Sequence, residues 1–446
     1  MTKKTERLHR TFWRWHFYAG LFIVPLILTL SLSGIAYLFK ADIEDVVYKD
    51  LYFGSSQQTE YIKMSQAITA TEGSFPDYKV TKIAYFNEDK RNTRLSLYNS
   101  HLANEKYIYL DSNNQIVGSQ NANDNFSNVT RNLHSSLLVG GTVVNYLVEL
   151  AACWAVFLIV TGLYMSWSSR KKLGEARTLR QGYKQKHTLV GVIFTIPLLV
   201  LIVSGLPWSA FMGNQIYKMS TAHHALGFPA LYVTPPESKN NHLPWATRKE
   251  NPPESANEKG TITMDSYEGI ALSQGINKPF VINLPSSEKD VITVSRSTGS
   301  GITGMNVGPS EEITSYFDQY SGELISKIDY QDYGILAQWF TYGIPLHEGH
   351  LFGRVNQILC LLTTLSLLFL MYWGIKMWFA RKPKGKFSAP PKQKMGKDMI
   401  SFLVIMVILG VAMPLFGMSL LVIAVLEFIL YLFRTRNHTI GNSHSG

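Results

Sequence analysis

Long charge-free apolar runs alternate along this chain with polar stretches of mixed character. The first run, Phe17–Phe39, is long enough as a helix at 1.5 Å per residue to cross ~30 Å of hydrocarbon. Comparable runs fall at about 143–167, 187–210 and 355–379. A fifth, 399–433, is interrupted at Met413-Pro414 and Gly417, which predicts a hairpin of two short spans and six spans in all. The polar segments 40–133 and 211–335 read differently. Alternating stretches at Val80–Phe86, Arg94–Tyr98 and Lys106–Leu110, and strand-like runs at Phe280–Leu284 and Val291–Ser295, predict strands. The run NVTRNLHSSLLVGG, ahead of the second span, predicts a short helix.

The pattern repeats. HFYAGLFIVPLILTLSLSGIAY from His16 and HTLVGVIFTIPLLVLIVSGLPW from His187 each place a Gly four residues after the His (Gly20, Gly191) and a Ser-Gly pair seventeen after it (Ser33-Gly34, Ser204-Gly205). Leu133-His134 and Leu346-His347 are each followed by Leu and Gly at matching offsets (Leu138, Gly140; Leu351, Gly353). YIYLDSNNQIVG (107–118) and YFDQYSGELIS (316–326) read as the same strand–turn–strand unit. The expected fold is therefore a membrane α-helical bundle, a duplicated span–domain–span unit plus a terminal hairpin, carrying two small extracytoplasmic α+β domains. The expected boundaries are 1–39 for the N-terminus and first span, 40–133 for the first domain and 134–210 for the second and third spans with their loop. The second domain follows at 211–335, then the fourth span at 336–380, a basic loop at 381–398, the hairpin at 399–433 and a tail at 434–446.

Composition alone hides this, since a hydrophobic share of 46% also suits a soluble protein. Charge orients the spans. Residues 1–14, 168–186 and 381–397 carry five, seven and seven Lys/Arg against two acids in total, whereas 40–133 and 211–335 carry nineteen basic and twenty-six acidic residues. The positive-inside rule makes the short basic segments and both termini cytoplasmic, at a bacterial plasma membrane. The net charge of +10 is thereby explained by topology, which leaves no call for nucleic acid as a partner. The first run is too long for a signal-peptide core and reads as a retained span. The two cysteines, Cys153 and Cys360, lie inside apolar runs and give neither a disulfide framework nor a CxxCH attachment site for haem c.

Four of the twelve histidines hold repeat-equivalent positions at span ends: His16 and His187 at the inner face, His134 and His347 at the outer. A single histidine there reads first as an interfacial residue, like Trp13 and Trp15 beside it. Four placed by a repeat, two per face, favour ligation of a haem iron between helices, His16 with His187 and His134 with His347. Arg131 and Arg354 near the outer pair, and Arg14, Lys184 and Lys186 near the inner, suit haem propionates or are ordinary interface positives. His350, three residues from His347, and His223-His224 are secondary candidates for an outer ligand or a substrate contact. Glu149 and Glu427, the acids inside apolar runs, read as snorkelling or interfacial groups with a proton-coupled role as the alternative. HExxH, GxSxG, P-loop and post-strand GxGxxG patterns are absent, so no residue is assigned as catalytic and no nicotinamide or flavin domain is expected.

Taken together, WRWHFYAG…SGIAY, LHSSLLVGG…TGLYMSW, HTLVGV…SGLPWS and IPLHEGHLFG…NQ resemble the PepSY-associated transmembrane family, which includes iron-regulated inner-membrane proteins and ferric-siderophore reductases. The resemblance covers about 10–435. It implies PepSY domains at about 60–118 and 262–330, and a core with two haems b held by His16, His134, His187 and His347. It further implies electrons passed from a cytoplasmic donor or quinol to a ferric chelate of siderophore type outside. The sequence departs from the family at His350, where many members carry Arg. Two other readings stay open: a non-enzymatic PepSY membrane protein that binds or inhibits a peptidase or senses a ligand, and a transporter of iron chelate or haem.

Overall fold

The computed structural model describes residues 3–88, 90–169, 178–222, 253–255, 262–381 and 399–442. Helix α1 (Lys3–Leu38) is followed by the short α2 (Lys40–Val47) and α3 (Lys49–Phe53), then by α4 (Met64–Ser74). Strands β1 (Lys79–Tyr85), β2 (Thr93–Asn99), β3 (Asn104–Leu110) and β4 (Ile116–Asn121) come next, and after them α5 (Phe126–Ser136). Helices α6 (Thr142–Ser169), α7 (Leu179–Ile193), α8 (Thr195–Gly205) and α9 (Met212–Ala222) lead to α10 (Tyr267–Ser273). The order then repeats with β5 (Phe280–Asn283), β6 (Val291–Arg296), β7 (Ile313–Asp318) and β8 (Leu324–Asp329). The chain ends with α11 (Ile335–His347), α12 (Gly353–Phe379), α13 (Ile400–Ala412) and α14 (Pro414–Asn442).

The chain divides into two compact units. One comprises Met1–Leu32, Ser135–Asn214 and Leu361–Gly446, and the other Ser33–His134 and Gln215–Cys360. The first unit is helical. Its core is aromatic and aliphatic: Phe12, Ile23, Ile27, Trp154, Phe157, Phe402, Met406 and Phe416 are buried together. Among the described residues, Glu6–Leu38, Thr142–Trp167 and Gly353–Phe379 are long and apolar enough to cross a membrane. Leu179–Ile193 with Thr195–Trp208 makes a fourth span if the pair, bent by 59°, is one. Proline explains the bend. Pro197 has no N–H to offer Ile193, so the ladder lapses there and Phe194 becomes the C-cap of α7 and the N-cap of α8. Pro25, by contrast, lies within α1 without ending it.

The interrupted fifth run folds as α13 and α14, which meet where a Cβ on Gly410 would stand 3.3 Å from the Cα of Gly417. At 13 residues α13 rises roughly 20 Å, short of the ~30 Å hydrocarbon core. Glu149, 2% exposed inside α6, accepts the backbone N–H groups of Phe211 (2.7 Å) and Met212 (3.0 Å), the orphan donors where α9 begins. Helix capping therefore satisfies this acid.

The second unit is built on one antiparallel eight-stranded sheet ordered β4-β3-β2-β1-β5-β6-β7-β8. The two polar segments supply four strands each and are joined where β1 pairs with β5, Ile83 opposite Ile282. Alternation sends Ile83, Leu95, Leu97, Ile108, Ile282, Ile292 and Val294 to one face, where Ala67, Ile68 and Ala271 of α4 and α10 complete a single core. Corresponding turns are held alike. Asp111 Oδ1 accepts the N–H groups of Asn113 and Gln115, and Asp318 Oδ1 those of Tyr320 and Ser321.

Candidate functional site

The four span-end histidines stand on different elements and come together in pairs. His16 of α1 and His187 of α7 have ring centroids 6.3 Å apart with planes at 81°. His134 of α5 and His347, the last residue of α11, are 6.2 Å apart with planes at 64°. The first pair belongs to the helical unit and the second to the sheet unit.

Each pair is held from behind. His187 Nδ1 lies 3.0 Å from the Leu370 carbonyl oxygen. A carbonyl only accepts, so Nδ1 carries the proton and Nε2 the lone pair. His16 Nδ1 lies 2.8 Å from Thr161 Oγ1, whose own proton goes to the Phe157 carbonyl at 2.8 Å. The hydroxyl oxygen is left to accept, and His16 takes the same tautomer. Beside Thr161, Gly162 faces the same ring: a Cβ there would stand 3.5 Å from His16 Cε1, an ordinary van der Waals distance. The outer pair repeats the device. Ser33 Oγ is 3.2 Å from His134 Nδ1, and a Cβ on Gly34 would stand 3.3 Å from His134 Cε1. A hydroxyl–glycine dipeptide thus seats one histidine of each pair. Ser33-Gly34 was visible as part of the repeat. Thr161-Gly162 was present in TGLYMSW, but only its contact with His16 gives it meaning.

Around His347 the structure adds residues that the sequence did not single out. Glu348 accepts from Lys40 Nζ at 2.7 Å and from the Tyr37 hydroxyl at 3.2 Å, and its Oε2 is 3.8 Å from His350 Nδ1. Burial opposes charge on Glu348, but Lys40 outweighs it and holds the carboxyl below its ordinary range. Lys40 is likewise opposed by burial and raised overall by Glu348. Burial lowers the His350 pKa, and the nearby Glu348 offsets this only in part. The signal for Glu348 was its place between two histidines in HEGH.

The arginines proposed for propionates have protein partners. Arg354 forms a two-pronged pair with Asp42, at 2.7 and 2.5 Å. Arg131 Nη2 donates to Asn128 Oδ1 at 2.8 Å. At the inner end, Arg14 lies over the Tyr18 ring at 4.9 Å, and Lys184 and Lys186 are exposed. His223 and His224 lie outside the described residues. Glu427 lies on an exposed face of α14, and Cys153 and Cys360 are buried thiols outside any disulfide.

The pairs suit a haem. Two imidazoles on one metal, each nitrogen about 2 Å from it, place their ring centroids roughly 6 Å apart, and rotation about the common axis leaves the interplanar angle free. Both pairs have that separation, and the inner pair has Nε2 as the available nitrogen on each ring. Gly20, one turn beyond His16, has nothing within 4 Å of where a Cβ would stand, whereas at the matching Gly191 a Cβ would stand 3.6 Å from Leu370 Cδ2. Among the described residues no group of three or more His, Cys, Asp or Glu converges as a metal site.

Long apolar helices, with an antiparallel sheet assembled from the segments between them, define a membrane protein with a folded polar unit. The family described as the PepSY-associated TM region matches residues 13–381, and the chain belongs to that family. No curated protein matches the chain.

Proposed function

We propose that this chain is a di-haem b electron-transfer protein of a bacterial plasma membrane, which reduces ferric chelates of siderophore type at the outer face. We read α1, α6, α7 with α8, α12, α13 and α14 as six crossings with both termini cytoplasmic. The matching order of elements in the two halves we read as a duplication. The observation that carries the reading is the pairing of the four histidines two by two at centroid separations of 6.3 and 6.2 Å, with His16, His134 and His187 each held through Nδ1. Haem bound at these pairs would supply one-electron Fe(III)/Fe(II) chemistry.

The chain's own contribution is to fix the imidazoles. A His whose second nitrogen is already bonded keeps its tautomer and orientation, and loss of such a partner typically costs about 10–100-fold in metal affinity. The electrons come from a cytoplasmic donor or a quinol, and the iron of the chelate is the substrate. Oxygen-donor chelators hold Fe(II) less tightly than Fe(III), so reduction releases the metal.

The test is an absorbance spectrum of the detergent-purified protein, oxidised and dithionite-reduced, with a pyridine haemochrome count. A b-type α-band with two haems per chain is expected. Protein without haem, even when haem is supplied during expression, refutes the proposal and leaves a PepSY membrane protein that binds rather than reduces.

A further inference from the structure

We infer that the Lys40–Glu348 ion pair sets the position of His347 opposite His134, with Glu348 as a positioning residue; this rests on the reading of that pair as haem ligands. His347 ends α11, and the chain then turns sharply, with left-handed backbone at Gly349 (φ +78°) and again at Gly353 (φ +58°), the first residue of α12. A ligand at such an end is not held by a helical ladder on its C-terminal side.

What holds it is the stretch from Ser33 to Asp42. Ser33 and Tyr37 stand one turn apart near the end of α1, and Lys40 opens α2 just beyond the turn at Phe39. Ser33 meets His134, while Tyr37 and Lys40 both donate to Glu348. Lys40 Nζ also lies 3.9 Å from the centroid of the Tyr37 ring, so the three groups form one compact knot. The Lys40 and Glu348 side chains are 15% and 20% exposed, which leaves little solvent to screen the pair.

Two further fastenings follow along the same stretch. A Cβ on Gly349 would collide with Leu38 Cδ1, so the turn is packed against Leu38. The Gln357 amide donates to the Leu38 carbonyl at 2.8 Å. Residues 33–42 therefore touch the surroundings of both outer histidines, and the ion pair is the fastening adjacent to His347.

The experiment uses the full chain in detergent, with its haem low-spin signals and midpoint potentials measured for the wild type, Glu348→Ala, Lys40→Met and the charge swap Lys40→Glu/Glu348→Lys. The inner pair serves as an internal control. Each single variant is expected to keep two haems while one low-spin signal is lost or moves and its potential shifts, the other staying in place. The swap is expected to restore the wild-type pattern. Single variants with both signals unchanged overturn the inference, as do two signals that move together or a swap without recovery. A wild type with no haem removes the proposed function itself and this inference with it.

Discussion

Replacing Thr161 by Val tests the seat of the inner pair. The substitution keeps the shape of a fully buried side chain and removes one oxygen. That oxygen accepts the His16 Nδ1 proton at 2.8 Å, and its loss leaves a buried donor facing a methyl group. Hydrogen bonds between membrane helices contribute about 0.6–2 kcal/mol, which corresponds to a roughly 3- to 30-fold loss. If haem affinity follows the loss of an outer-sphere partner, the range extends to about 10–100-fold. Titration of haem into the stripped protein measures the change directly, and the potential of the inner site should shift while the outer one stays. Thr161→Ser retains the oxygen and should recover most of the affinity. A Thr161→Val protein with wild-type affinity and potentials would refute the assigned tautomer and the role of the hydroxyl.

Three further outcomes follow from contacts already described. Gly349→Ala places a left-handed residue with its Cβ against Leu38 and should cost at least about 1–2 kcal/mol, read as a lower thermal midpoint. Glu149→Leu removes the acceptor for two buried N–H groups at the start of α9, at about 1–3 kcal/mol for each. Glu149→Gln, with one acceptor oxygen left, should lose less in the same thermal assay. Burial raises the Glu312 carboxyl above its ordinary value despite hydrogen bonds from Thr298 and Tyr333. The folded state then binds more protons than the unfolded one, so stability falls as pH rises from about 4.3 through the folded value. Glu312→Gln should flatten that slope in thermal midpoints taken across the window.

The histidine pairs were legible because His16 and His187, and His134 and His347, stand at matching offsets in similar stretches of sequence. The strands were legible from composition: Val80–Tyr85 and Val291–Ser295 are rich in β-branched and aromatic residues and lie on β1 and β6. What escaped was non-local. The pairing of β1 with β5 depends on matching two edges far apart in sequence, so the polar segments read as two separate domains rather than halves of one sheet. Glu348 escaped because its meaning comes from Lys40 and Tyr37, three hundred residues away. The break at Phe194 escaped because Pro25 and Pro197 look alike as letters, while only the second interrupts its helix.

The β1–β5 seam has a consequence for biosynthesis. Ile83 pairs with Ile282, and α6, α7 and α8 are made between them. At roughly 5–20 residues per second, β1 waits about 10–40 s for its partner, whereas hairpins close in about 1–10 μs. For that interval the first four strands hold an unpaired inner edge beside an apolar face, a template for pairing with another nascent chain. Lys79 and Lys82 stand on that edge strand, and lysine on a waiting edge discourages wrong partners. Those two residues thus guard the open half-sheet until synthesis delivers β5.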